Sequence, residues 1–130
     1  INELAKQDFN DGAQSKLYGQ IDVVLQGLKY LVKKDVSFVL TSGILNVDPI
    51  PTASIAAMAN AGVEAFAKAA ARSMPIKQRV NVVSPGLLLE SVERYKGFFP
   101  GYPPVPASVV ALAYRKLIFG GQTGEVVRVG

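Results

Sequence analysis

Arg79-Val80-Asn81-Val82-Val83-Ser84-Pro85-Gly86 decides how this chain folds. A short β-branched run stops at a Pro-Gly pair, the composition of a buried strand that ends in a turn. Just before it, ten of the residues from Ala53 to Ser73 are alanine, the strongest helix former. A helix that feeds a buried strand is half of a βαβ unit. In open α/β sheets ligands bind outside the carboxyl ends of the strands. The stretch therefore predicts a fold and also a site, beside Pro85-Gly86.

Working upstream, Val36 to Leu40 has the length of an ordinary strand and closes at Thr41-Ser42-Gly43. Leu4 to Lys34 reads as helix with a break at Asp11-Gly12, since Leu17, Ile21, Val24, Leu25, Leu28 and Leu31 recur at three- and four-residue spacing. Asp48-Pro49 and Pro51 make Ile44 to Pro51 a loop. Thr52 or Ala53 opens the alanine-rich helix and Pro75 ends it. Downstream, Leu87 to Pro106 is irregular, with one helical turn around Ser91 to Lys96. Ala107 or Ser108 caps a third helix that runs to Phe119 and stops at Gly120-Gly121. Thr123-Gly124 turns into a last strand, Glu125 to Val129. This alternation predicts an α/β fold, with three parallel strands joined by right-handed crossovers.

The 130 residues amount to one domain, and 49% of them are apolar, enough for a core. Cysteine is absent, so disulfide and thiolate chemistry are excluded and a reducing, cytoplasmic setting is expected. Histidine is absent too. That excludes a Ser-His-Asp triad, removes the commonest metal ligand and leaves no metal expected. The net charge is a mild +4. Lys29, Lys33 and Lys34 gather at a helix end, where cations suit the dipole, so nucleic acid is not an expected partner. No apolar run is long enough to cross a membrane, and no signal peptide is visible. The chain begins with Ile1, so part of a longer polypeptide is expected.

The residues resemble the C-terminal half of a short-chain dehydrogenase/reductase over essentially the whole length. The matching pieces are Ser37-Phe38-Val39-Leu40-Thr41-Ser42-Gly43, the helix Ala61-Gly62-Val63-Glu64-Ala65-Phe66-Ala67-Lys68-Ala69-Ala70-Ala71, Arg79 to Gly86, and Thr123-Gly124-Glu125-Val126-Val127. Arg-Val-Asn-x-Val-x-Pro-Gly after an alanine-rich helix is the most specific of them. The resemblance implies a Rossmann-like, doubly wound parallel sheet. Residues 1–130 would form its C-terminal half, and the N-terminal dinucleotide-binding half would be missing. No glycine-rich turn follows a strand here, so the phosphate-cradling fingerprint is absent. Gly120-Gly121-Gln122-Thr123-Gly124 follows a helix instead. The missing part would measure roughly 60–80 residues, two βαβ units. Without it, Val36 to Leu40 would form a bare hydrophobic edge.

The family's catalytic pair, Tyr-x-x-x-Lys at the start of the alanine-rich helix, is replaced. Aligning through Asn60-Ala61-Gly62-Val63-Glu64 places Ala56 at the tyrosine and Asn60 at the lysine. Alanine has no proton to give, whereas asparagine can still hydrogen-bond a ribose hydroxyl. Ser42, with Thr41 beside it, lies near the family's active-site serine. It either polarises a carbonyl or closes a turn. Lys16 takes the place of an asparagine on the preceding helix, as an acid in the site or as a surface lysine. Pro85 and Gly86 would put bare backbone beside a nicotinamide ring. Tyr95 and Tyr102, in the loop over the substrate, either replace the lost acid or pack as a lid, while Tyr18 and Tyr30 read as helix-surface or interface residues.

These residues support two functional readings. One is an oxidoreductase that interconverts carbonyl and alcohol groups on a small molecule with NAD or NADP, in the intact protein. The other is a catalytically degenerate relative that binds a nucleotide or small ligand, or serves as an interaction module. The family's pairing of the corresponding helices implies a homo-oligomer through residues 15–34 and 53–73.

Overall fold

The computed structural model describes residues 1–32 and 34–130. Helix α1 (Lys6–Gly12) passes through a π-helical turn (Ala13–Tyr18) into α2 (Gly19–Tyr30). Then follow β1 (Val36–Thr41), α3 (Ser54–Ala70), β2 (Gln78–Pro85), α4 (Ala107–Phe119) and β3 (Val126–Val129). The strands lie in the order β1-β2-β3, all parallel, with Leu40 beside Val82 and Val82 beside Val126. This is the three-stranded parallel sheet expected of a Rossmann-like α/β half.

Side chains alternate between the two faces of a strand, and the alternation sorts the core. Phe38, Leu40, Val80 and Val82 pack with Val24 of α2 and with Val63 and Ala67 of α3. Val83 packs on the other face with Val110, Ala113 and Leu117 of α4, flanked by Val39, Val127 and Val129. Helices thus cover both faces, which a parallel sheet needs. Val80, Val82 and Val83 are fully enclosed. The same alternation explains the polar residues in the deciding stretch. Arg79 shares the α4 face, where it donates to Asp35 Oδ1 at 2.9 Å and to the Ile118 carbonyl at 3.2 Å. Asn81, also facing α4, donates from Nδ2 to the Gln122 carbonyl at 2.8 Å and accepts the Glu125 amide at 3.0 Å. Two polar side chains on one face therefore tie the end of α4, and the loop after it, to β2.

Several boundaries differ from the sequence reading, each for a physical reason. The first helix does not break at Asp11-Gly12; it widens into the π turn and continues. It ends at Tyr30 rather than Lys34. The Leu31 amide bonds the Gly27 carbonyl at 2.8 Å, and the Leu31 carbonyl accepts Gln78 Nε2 at 2.9 Å, so a tertiary contact satisfies the helix end. Of the three lysines expected there, Lys33 lies outside the described residues. Helix α4 is not capped by its own Ala107 or Ser108. The Glu90 carboxylate accepts the Ala107 amide at 3.0 and 3.1 Å, an anion where the helix dipole favours one. Gly62 lets α3 close on the π turn: a Cβ there would lie 2.8 Å from Leu17 Cδ2. The loop after β2 is irregular as expected, but it is pinned by a bridge between Leu88 and Val105.

Candidate functional site

The carboxyl ends of β1 and β2 open onto a cleft of about 720 Å³. Lys16, Ser42, Asn60, Pro85 and Gly86 all line it, as does Ala56. The sequence names each of them; the fold gathers them from the π turn, two strand ends and α3. Their spacing explains part of this. Ala56 and Asn60 are four residues apart on α3 and share one face, while Ser42 and Pro85-Gly86 follow the ends of adjacent parallel strands.

Ser42 is buried, and its hydroxyl donates to Glu64 Oε1 at 2.9 Å. Glu64 is itself buried, and its other oxygen accepts Arg128 Nη2 at 2.8 Å. The proton of Ser42 is therefore committed to Glu64, and its oxygen keeps free lone pairs. Thr41, the neighbour considered with it, faces α4 and meets the Tyr114 hydroxyl at 2.6 Å. Asn60 is 1% exposed. Its Nδ2 donates to the Gly43 carbonyl at 3.1 Å, and its Oδ1 is buried without a partner. Asn46, Gln78, Ser84 and Gln122 also hold buried side-chain oxygens without a partner, but of these residues Asn60 is the one that lines the cleft.

Lys16 is half-buried in the π turn. Burial disfavours its charged form and lowers its pKa below the ordinary lysine value. Gln20 anchors that turn: Nε2 donates to the Lys16 carbonyl at 3.0 Å and the Thr41 carbonyl at 2.9 Å, while Oε1 accepts the Thr41 amide at 2.7 Å. The outward backbone groups of Thr41, on the edge of β1, are thereby satisfied by a helix side chain.

Leu87, Leu88, Tyr95, Phe98 and Phe99 form the apolar wall, with Arg94 among them. Phe99 packs edge-on between Tyr95 at 5.9 Å and Tyr102 at 5.4 Å. Tyr95 lines the cleft, whereas Tyr102 does not: its hydroxyl donates to the Asp48 carbonyl at 2.9 Å and ties the loop down. Desolvation, and after it Asp48, raises the Tyr102 pKa. It serves as a strut, not as the replacement acid the sequence left open. Thr52, which also lines the cleft, is held left-handed at φ 70°, a strained conformation for a β-branched residue.

Sequence reasoning missed Glu64, Arg128, Gln20 and Arg94. Glu64 had a signal, since it lies four residues beyond Asn60 on the same helical face. Gln20 and Arg128 had none that local spacing reveals. Among the described residues no three metal-ligating side chains are gathered together.

Comparisons with known proteins agree on the relatives. A family model described as Enoyl-(Acyl carrier protein) reductase matches residues 1–100. A short-chain dehydrogenase/reductase, ucsE from Acremonium sp, is 34% identical over 88 residues, 66% of this chain and 33% of that protein. The structure of protein lin1944 from Listeria innocua is 46% identical with a TM-score of 0.95, covering 99% of this chain and 64% of that one. A small-chain dehydrogenase solved in complex with NADPH is 26% identical with a TM-score of 0.82, over 99% and 64% of the two chains. The chain thus spans a third of the curated relative and under two thirds of these solved structures.

Proposed function

The chain belongs to the short-chain dehydrogenase/reductase family, and from that premise we propose that the intact protein interconverts carbonyl and alcohol groups with NADP or NAD. The observation that carries this reading is the buried, unpartnered Oδ1 of Asn60 beside the cleft. A buried acceptor without a partner is stabilised by a ligand that brings a donor, and a ribose hydroxyl is such a donor. The cleft fits the rest of the cofactor's reactive end. Gly86 offers bare backbone at the mouth of β2, where an added Cβ would already meet Gly130 at 3.3 Å. The NADPH-bound relative, similar over nearly this whole chain, supports the same cofactor class.

When bound, the nicotinamide supplies or accepts the hydride. Pro85 and Gly86 would border its ring, and Asn60 would hold the sugar. Lys16, the half-buried cation in the cleft, donates a proton to the carbonyl oxygen in reduction and takes it back in oxidation. Ser42, with its proton on Glu64, orients a donor in the cleft through its oxygen. The apolar wall from Leu87 to Phe99 covers the substrate and excludes water.

A second reading follows from the same residues. Ala56 has no proton, Asn60 has no charge, and the Ser42 proton points to Glu64. General acid-base catalysis is worth roughly 10²–10⁴-fold, so a site without it suits a binding protein. Titrating the full-length protein with NADPH and NADH, then assaying a panel of carbonyl compounds, separates the two. Binding with turnover supports the oxidoreductase, binding without turnover the degenerate relative, and no binding of either nucleotide overturns both cofactor-based readings.

The exposed apolar residues Val23, Leu25 and Tyr30 of α2 support a homo-oligomer through the helices at 15–34 and 53–73. Light scattering that shows a monomer would contradict this.

A further inference from the structure

We infer that the cleft selects an anionic carbonyl substrate, an oxo acid with an apolar body, held by Lys16 and Arg94. The inference rests on the proposed oxidoreductase only in taking the same cleft as the substrate site.

The charge of the lining carries it. Among the described residues that line the cleft, the ionisable side chains are Lys16, Arg94 and Tyr95, and no carboxylate is present. The carboxylate bonded to Ser42, Glu64, is neutralised by Arg128 at 2.8 Å. Among the described residues neither Lys16 nor Arg94 forms an ion pair. A half-buried ammonium without an anion loses hydration and gains nothing in return, which lowers its pKa; a bound anion restores the balance. Arg94 stacks its guanidinium over the Tyr95 ring at 5.6 Å. Arg94 is exposed, and its N–H groups remain open to a carboxylate. Leu88, Phe98 and Phe99 supply the apolar wall that would hold the body of the molecule.

The test uses phenylpyruvate and phenylacetone, which share a ring and a carbonyl and differ in one carboxylate. Calorimetry on the full-length protein, with and without NADP⁺, measures both. Hydrogen bonds to charged groups predict phenylpyruvate binding roughly tenfold to a hundredfold tighter. The gap should narrow in Lys16→Met and in Arg94→Met and persist in Lys68→Met, a lysine outside the cleft. Equal affinities, or a gap unchanged in both cleft variants, overturn the inference. So does a gap that vanishes when NADP⁺ is bound, because the two cations then serve the cofactor's phosphates. The NADP⁺ titration on the same sample keeps the readings apart. Cofactor binding without a carboxylate preference removes the inference alone. A preference without cofactor binding supports the anion site and removes the oxidoreductase.

Discussion

Replacing Asn81 by aspartate changes a single group, an NH₂ to an oxygen, inside a side chain that is 0% exposed. The Glu125 amide at 3.0 Å would keep its acceptor. The Gln122 carbonyl, now 2.8 Å from a donor, would face another oxygen instead. A buried group left without its partner costs about 1–3 kcal/mol. The new carboxyl has one escape: it can take up a proton and restore the donor. Holding that proton at pH 7 against an ordinary pKa near 3.9 costs about 4 kcal/mol, at roughly 1.4 kcal/mol per unit. The penalty at pH 7 is therefore about 1–4 kcal/mol. The sign with pH follows. The folded state raises the pKa of the new Asp, so its protonated form is cheapest in acid, and the variant loses stability as pH rises above about 4. Urea denaturation of the full-length protein at pH 7 and at pH 4 checks this. With m near 1–3 kcal/mol/M, the midpoint should fall by about 1 M at pH 7, and the difference should narrow in acid. Asn81→Ala, which loses both bonds, should show no such narrowing. An unchanged midpoint at pH 7, or a gap equally wide at both pH values, would refute the role assigned to this side chain.

Other outcomes follow from the cleft. Burial lowers the Lys16 pKa from 10.5, so the unfolded chain holds the proton to higher pH than the folded one. Stability should then rise with pH across the window below 10.5. Lys16→Met should abolish that rise in urea midpoints, and carbonyl reduction that uses this proton should slow as pH climbs through the same window, read from kcat. Asn60→Leu removes the donor to the Gly43 carbonyl and the free acceptor together. Nucleotide affinity should fall by roughly tenfold at most, and stability by about 1–3 kcal/mol, as titration and thermal melts will show. Glu64→Gln keeps an acceptor for Ser42 but takes the charge from Arg128. Because that side chain is 39% exposed, the stability change should stay within about 1 kcal/mol; a larger loss in melts would mean that the pair is more central than its exposure suggests.

Much of the fold was legible because it is locally encoded. The valines of β2, the alanines of α3 and the Pro-Gly stop act through backbone preference and side-chain alternation over a few residues. The cleft residues were legible for the same reason, since strand ends and one helical face put Ser42, Ala56, Asn60, Pro85 and Gly86 together by topology alone. Boundaries were less so. The end of α2 depends on Gln78, which is distant in sequence, and the start of α4 depends on Glu90 across the loop. Neither signal lies in the helix it ends or begins.

The sequence by itself determined the element order, the parallel sheet and the place of the cleft. Only the tertiary structure decided what each polar group does there. Ser42 meets Glu64, 22 positions away, and Glu64 meets Arg128, 64 positions away. Gln20 reaches Thr41 across 21 positions. These pairings commit the Ser42 proton to Glu64 and the Glu64 charge to Arg128, and no carboxylate lining the cleft opposes Lys16 and Arg94. Periodicity says which face a side chain takes, but register and helix approach choose its partner, and a polar group's chemistry depends on that partner.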